Sequence, residues 1–200
     1  MMVGAPALVL ASASETRRRL LASTGLAFEA VAAWVDEDSV KREARVLGAA
    51  PEATALQLAR LKAQAVGRPE AIVIGCDQIL VCGGQWFDKP VSLEAAAAQL
   101  RSLRGRTHVL ATAMVVLRGG VEVWQHVTAP RLTMRGFSEA FLARYLAVEG
   151  EAVLGSVGAY QLEGLGVHLF DAVEGEHSAV LGLPLPPLLG FLRGSGMLLV

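Results

Sequence analysis

The chain has 200 residues, 53% of them hydrophobic and 18% charged, with a net charge of −1. That is enough apolar material for a substantial core, in one domain or in two small lobes, and it excludes a disordered chain. A near-neutral balance gives no general attraction for nucleic acid or an anionic membrane, so any phosphate chemistry must be local to a site. Cys76 and Cys82 have neither zinc-ligand spacing nor the look of a disulfide framework, and read as buried small hydrophobes in a reducing compartment. The N-terminal MMVGAPALVL lacks the basic segment of a signal peptide, and its apolar run is too short for a membrane span. A cytoplasmic protein that binds no membrane is expected.

The elements follow in chain order. ALVLA at 7–11 predicts a buried strand, after which Ser12 or Ser14 caps a helix over 15–24 that stops at Gly25. AFEAVAAWV at 27–35 predicts a second strand, with the acidic Asp36, Glu37 and Asp38 beyond it and a mobile segment to about residue 50. Pro51 opens a helix to about Val66 with Leu58, Leu61 and Ala65 on one face. AIVIGCDQI, continuing as LVCGG, predicts a buried strand that ends at Gly75, Cys76 and Asp77. QWFDKP leads to a helix over 92–103, and 107–118 with 121–128 form a hairpin about Gly119 and Gly120. A strand to about Arg135 is followed by a helix capped by Ser138 and ended before Gly150. GSVGAYQLEGLG is too rich in glycine for a regular element; a strand, VHLFDAV, and a last helix from near Pro186 complete a mixed α/β chain without internal repeat or separable linker.

Several residues carry chemical potential. Arg17, Arg18 and Arg19 sit at the wrong end of a helix for cations, yet free amides, the hydroxyls of Ser12 and Ser14, and guanidinium groups together make a cradle for a polyanion. The same arginines would serve equally as a solvated basic face. Lys62, by itself, reads as a surface lysine; Lys89, fixed before Pro90, is a stronger candidate. Asp77 is the most informative residue, because a carboxylate in an apolar strand is costly unless paired, hydrogen-bonded or bound to metal. Were it to face Glu37, a hard cation such as Mg²⁺ would bridge carboxylate and phosphate there. Cations for a charged chain, a metal and a carboxylate to orient or deprotonate water are what hydrolysis of a nucleoside triphosphate requires. The four histidines have no metal-ligand spacing, and neither GxSxG nor a Walker A motif occurs. Trp34 and Trp86 offer stacking faces near polar segments, core packing being the expected role of each.

Taken together, LASAS followed by arginines, VDE, LARLKA, IGCDQILV, FDKP, LRGRTH, GSVGAYQLEGLG and VLGLPL resemble the Maf family in its own order, from about residue 8 to 185. The resemblance implies an inosine-triphosphatase-like (Maf/Ham1-like) α/β fold, a mixed sheet with flanking helices, as a single domain over 1–200 with two lobes around a deep cleft, commonly a homodimer. It implies hydrolysis between the α- and β-phosphates of a nucleoside triphosphate, releasing monophosphate and pyrophosphate with Mg²⁺ or Mn²⁺, as house-cleaning of modified nucleotides. By motif position, Asp77 resembles the family's proton acceptor, and Ser12, Arg17, Glu37, Lys62 and Lys89 match polar site positions; Glu37 and Asp77 would hold the metal, and Ser14 and Arg18 would join the phosphate contacts.

The run from Ser14 departs from the family's S-P-R-R, with Glu15 for proline and Thr16 for the first arginine, which implies that one phosphate or base contact is either absent or moved to Arg18. Gln78 and Glu163 look like the branch that prefers 7-methyl-GTP, in keeping with a carboxylate beside a cationic methylguanine. Tyr160 departs from that branch's usual phenylalanine. Alternatives are the dTTP and UTP branch, or a nucleotide-sensing regulator of septum formation without turnover.

Overall fold

The computed structural model describes residues 7–198. The chain divides into two compact units, one made of the chain up to Gln78, Thr112–Thr128 and the segment from Glu176 onward, the other of Ile79–Ala111 and Ala129–Gly175. Their strands belong to a mixed sheet, parallel at the N-terminal strands and antiparallel elsewhere, and helices flank it.

In the first unit, β1 (Leu8–Ala11) pairs in parallel with β2 (Glu29–Ala30) and with β3 (Ile72–Cys82). Both connections are crossovers: α1 (Glu15–Ser23) leads to β2, then α2 (Glu37–Val46) and α3 (Pro51–Ala65) lead to β3. β5 (Thr107–Arg118) enters this unit at Thr112 and turns through Gly119 and Gly120 into β6 (Val121–Thr128), the hairpin expected from the sequence. The short α6 (His177–Val180) and α7 (Leu185–Gly194) close the unit. The core joins Leu8, Leu10, Ile72, Ile74 and Cys76 from the parallel strands to Leu21, Leu188 and Leu192 from the helices.

The second unit contains the C-terminal part of β3, β4 (Gln85–Phe87), α4 (Leu93–Leu103), β7 (Arg131–Met134), α5 (Glu139–Glu149) and β8 (Phe170–Glu174). Ser92 and Ser138 cap α4 and α5 by accepting from the amides of Ala95 and Phe141. The glycine-rich stretch forms 3₁₀ turns at Gly150–Gly155 and Leu165–Leu169 around an irregular centre. His108 and Tyr160 are buried there, with His108 Nε2 2.7 Å from the Tyr160 hydroxyl.

Several expectations are corrected. The strand at 27–35 shrinks to Glu29–Ala30, and Trp34 is 93% exposed, so it packs into no core. The segment after Asp36 is not a mobile stretch but helix α2, because the Asp36 carboxylate caps it by accepting from the Ser39 amide. The buried stripe of α3 is Ala55, Leu58, Ala59, Lys62 and Ala63, while Ala65 is exposed. A lysine thus occupies a position that an apolar pattern assigns to solvent. Strand β3 does not end at Asp77: it continues to Cys82, because Leu80, Val81 and Cys82 pair with Phe87, Trp86 and Gln85. The predicted strand over 167–173 begins only at Phe170, its first residues being taken by the 3₁₀ turn.

Candidate functional site

Alternation along β3 organises the site. Gly75 and Asp77, two residues apart, share one face of the strand, and Cys76 and Gln78 share the other. The first face lies against α3. A Cβ at Gly75 would come within 2.0 Å of the Ala59 carbonyl oxygen and 2.9 Å of the Ala63 Cβ, so only glycine lets the strand approach this closely. Lys62, on the same helical stripe as those alanines, is thereby carried to Asp77.

The ammonium of Lys62 lies 2.5 Å from Asp77 Oδ1 and 2.7 Å from Glu37 Oε1. Asp77 is 3% exposed and Lys62 8%, which answers how a strand tolerates the charge: each buried ion has its counter-ion. Burial, the largest influence on Lys62, pulls its pKa down, but the Asp77 and Glu37 carboxylates outweigh burial and the opposing charge of Arg17, so the net direction is up. Glu37 itself is in the first turn of α2, half-exposed, with its Oε2 3.9 Å from Lys41 Nζ. Asp77 Oδ2 is buried and has no hydrogen-bond partner. Among the described residues, that atom is one of three buried side-chain polar atoms so placed, and the one that belongs to an acidic group.

The loop from β1 into α1 contributes a second group of residues. Ser12 is buried and its Oγ accepts from the Ser14 amide at 3.1 Å, while Ser14 is the N-cap, accepting from the Arg17 amide. Arg17 donates from Nε to the Gly182 carbonyl at 2.9 Å and from Nη1 to the Cys76 carbonyl at 3.1 Å. Arg18 is exposed and pairs with Glu15, a contact of little energetic weight in water. Glu15 supplies the negative charge that the helix N-terminus favours and that the arginines lack.

On the other face of β3, the Gln78 amide nitrogen donates to Thr112 Oγ1 at 2.8 Å and to the carbonyls of Ala179 and Val180, each at 3.1 Å. Thr112 in turn donates to the Ala179 carbonyl at 3.2 Å. Nothing in the local sequence signals these partners, since the pairing of Gln78 with Val180 spans 102 residues.

Glu37, Lys62 and Asp77 are therefore brought into contact, with Ser12, Ser14, Arg17 and Gln78 in the same unit. Lys89 and Glu163 belong to the other unit and are exposed, Lys89 before the buried Pro90 and Glu163 in a turn. The Tyr160 hydroxyl, raised as a question of base selectivity by the sequence, is engaged with His108.

Fold and site define a mixed α/β protein in which a lysine on a helix is buried between two carboxylates, one of them on the adjoining parallel strand. The family model described as Maf-like protein matches residues 7–195, and the chain belongs to that family. A "nucleoside triphosphate pyrophosphatase" of Granulibacter bethesdensis is 55% identical over 188 residues, covering 93% of this chain and 95% of that protein. One of the same name from Rhodospirillum rubrum is 47% identical over 196 residues, 97% of each chain. A "7-methyl-GTP pyrophosphatase" of Rhizobium meliloti is 48% identical over 193 residues, 96% of this chain and 97% of that one.

Proposed function

We propose that this protein is a nucleoside triphosphate pyrophosphatase, a hydrolase that cleaves the α–β phosphate bond. The observation that carries the proposal is the unpartnered Oδ2 of the buried Asp77, an acceptor beside a fixed lysine with nothing in the protein to accept from. In this reading a water gives its proton to Asp77 as its oxygen bonds the α-phosphorus. The bond to the bridging oxygen breaks, and pyrophosphate leaves with that electron pair. Lys62 holds the Asp77 carboxylate in place from Oδ1, and Arg17, Arg18, Ser12, Ser14 and Lys89 bind phosphate oxygens.

The residues present fit a divalent cation of a particular kind. Among the described residues no group of three or more His, Cys, Asp and Glu gathers as an all-protein cage. Asp77 and Glu37 instead supply the one or two carboxylates with which Mg²⁺ is ordinarily held beside substrate phosphates. When bound, such an ion would neutralise charge developing on the phosphates.

The base preference proposed is for 7-methyl-GTP, with dTTP and UTP as the alternative. Support comes from Glu163, whose carboxylate would suit a cationic methylguanine, and from relatives bearing that name. The homodimer, the cytoplasmic setting, the absence of nucleic-acid partners, and the inosine-triphosphatase-like fold belong to the same proposal; no helix among the described residues is long and apolar enough to cross a membrane. The test is incubation with a panel of nucleoside triphosphates and Mg²⁺ or Mn²⁺. Monophosphate and pyrophosphate are the expected products; release of orthophosphate alone, or no product from any triphosphate, overturns the reading.

A further inference from the structure

Gln78 and Arg17 grip one short segment from two sides. Gln78 and Thr112 hold the carbonyls of Ala179 and Val180, and Arg17 holds the carbonyl of Gly182. The two carbonyls around the Gln78 terminal nitrogen can only accept, so that atom is the amide NH₂, and its two hydrogens are already shared among three protein oxygens. Gly182 adopts φ +91°, and a Cβ there would come within 2.9 Å of Arg17 Nε, so the segment is shaped to the guanidinium. Arg17 is also fixed by the Cys76 carbonyl, two residues before Gln78 on the same strand.

We infer that Gln78 is a positioning residue for Arg17: it anchors Ala179–Gly182, which with Cys76 sets where the guanidinium presents its remaining donors to a phosphate chain. Its influence on binding is then exerted on every triphosphate alike through Arg17, not by its amide NH₂ reading the base. This deepens the pyrophosphatase reading and rests on it for the identity of the anion, while the anchoring itself does not depend on turnover.

The experiment compares wild type with Gln78→Met, which keeps the length and removes the donors, and with Gln78→Asn as a second variant, folding being verified by thermal unfolding. Hydrogen exchange reports the anchor directly: the amides of Leu181 to Leu183 exchange faster in Gln78→Met, and unchanged exchange overturns the inference. Binding of inorganic tripolyphosphate, which has no base, reports the consequence. Loss of the network's hydrogen bonds is expected to weaken it about tenfold, with 7-methyl-GTP and UTP weakened by the same factor. Unchanged tripolyphosphate binding with an altered ratio of 7-methyl-GTP to UTP would make Gln78 a base contact and sink the inference. Absence of hydrolysis in wild type would overturn the pyrophosphatase reading alone, since exchange and binding are read without turnover.

Discussion

The Lys62 ammonium meets Asp77 Oδ1 at 2.5 Å across a separation of 15 residues, and it does so because Gly75 lets the strand sit against the helix that carries the lysine. A helix stripe and a strand face are thus coupled through a residue with no side chain. The catalytic proposal and the stability of the first unit depend on the same contact.

Replacing Asp77 by Asn keeps the shape and removes the proton acceptor. Hydrolysis in Asp77→Asn is expected to fall by about 10²- to 10⁴-fold, the usual contribution of a general base. Pyrophosphate release measures the loss, and nucleotide binding by calorimetry should persist; retention of near-normal turnover would remove Asp77 from the chemistry.

Lys62→Met leaves Asp77 buried with its counter-ion gone. Breaking a buried pair from one side costs about 3–5 kcal/mol, and urea unfolding should register a loss of that order. The pair also predicts alkaline behaviour. Because the Lys62 pKa is raised on folding, its contribution is fully present below the ordinary value of 10.5 and is lost as pH rises through the higher folded value. The midpoint of unfolding should therefore decline above about pH 10.5 in wild type and lack that component in Lys62→Met.

Gly75→Ala places a methyl against the Ala59 carbonyl. Overpacking of this kind costs typically about 1–3 kcal/mol or more, and forces β3 away from α3. Stability and hydrolysis should fall together, whereas Gly190→Ala, at an exposed helical glycine with open space around it, should cost activity nothing.

Burial lowers the His108 pKa from 6.5 to about 4. The unfolded chain takes up a proton that the folded chain refuses between these values, so stability falls as pH drops from about 6.5 to about 4, by on the order of 3 kcal/mol. Unfolding midpoints measured across that range should show the slope in wild type and lose this component in His108→Gln. Tyr160→Phe leaves His108 Nε2 without its partner and should destabilise by about 1–3 kcal/mol without changing the ratio of activities on different bases.

Chelation by EDTA is expected to abolish hydrolysis, and added Mg²⁺ or Mn²⁺ to restore it. Full activity in the chelator would exclude the carboxylate-held cation.

Much of the architecture was legible in the chain. The hairpin about Gly119 and Gly120, the helix behind Ser138, and the helix opened by Pro51 follow from turn glycines, a capping hydroxyl and a proline at a first turn, signals that act within a few residues. β2 is shorter than its sequence suggests because AFEAVAAWV has the composition of a strand but pairs only with Val9 and Leu10 of β1. Helix α2 was missed because its acidic start reads as a turn until Asp36 is seen to cap it.

The sequence by itself determined that a charge lies within an apolar strand and that a serine and arginine cluster opens the first helix, since both are contiguous patterns. It could not determine that Asp77 is mid-strand, that Lys62 is buried against it, or that Gln78 serves the carbonyls of Ala179 and Val180. Those are decided by tertiary structure, because desolvation and counter-ion contact depend on which elements pack together, and the side-chain partners of Asp77 and Gln78 come from 15 to 102 residues away.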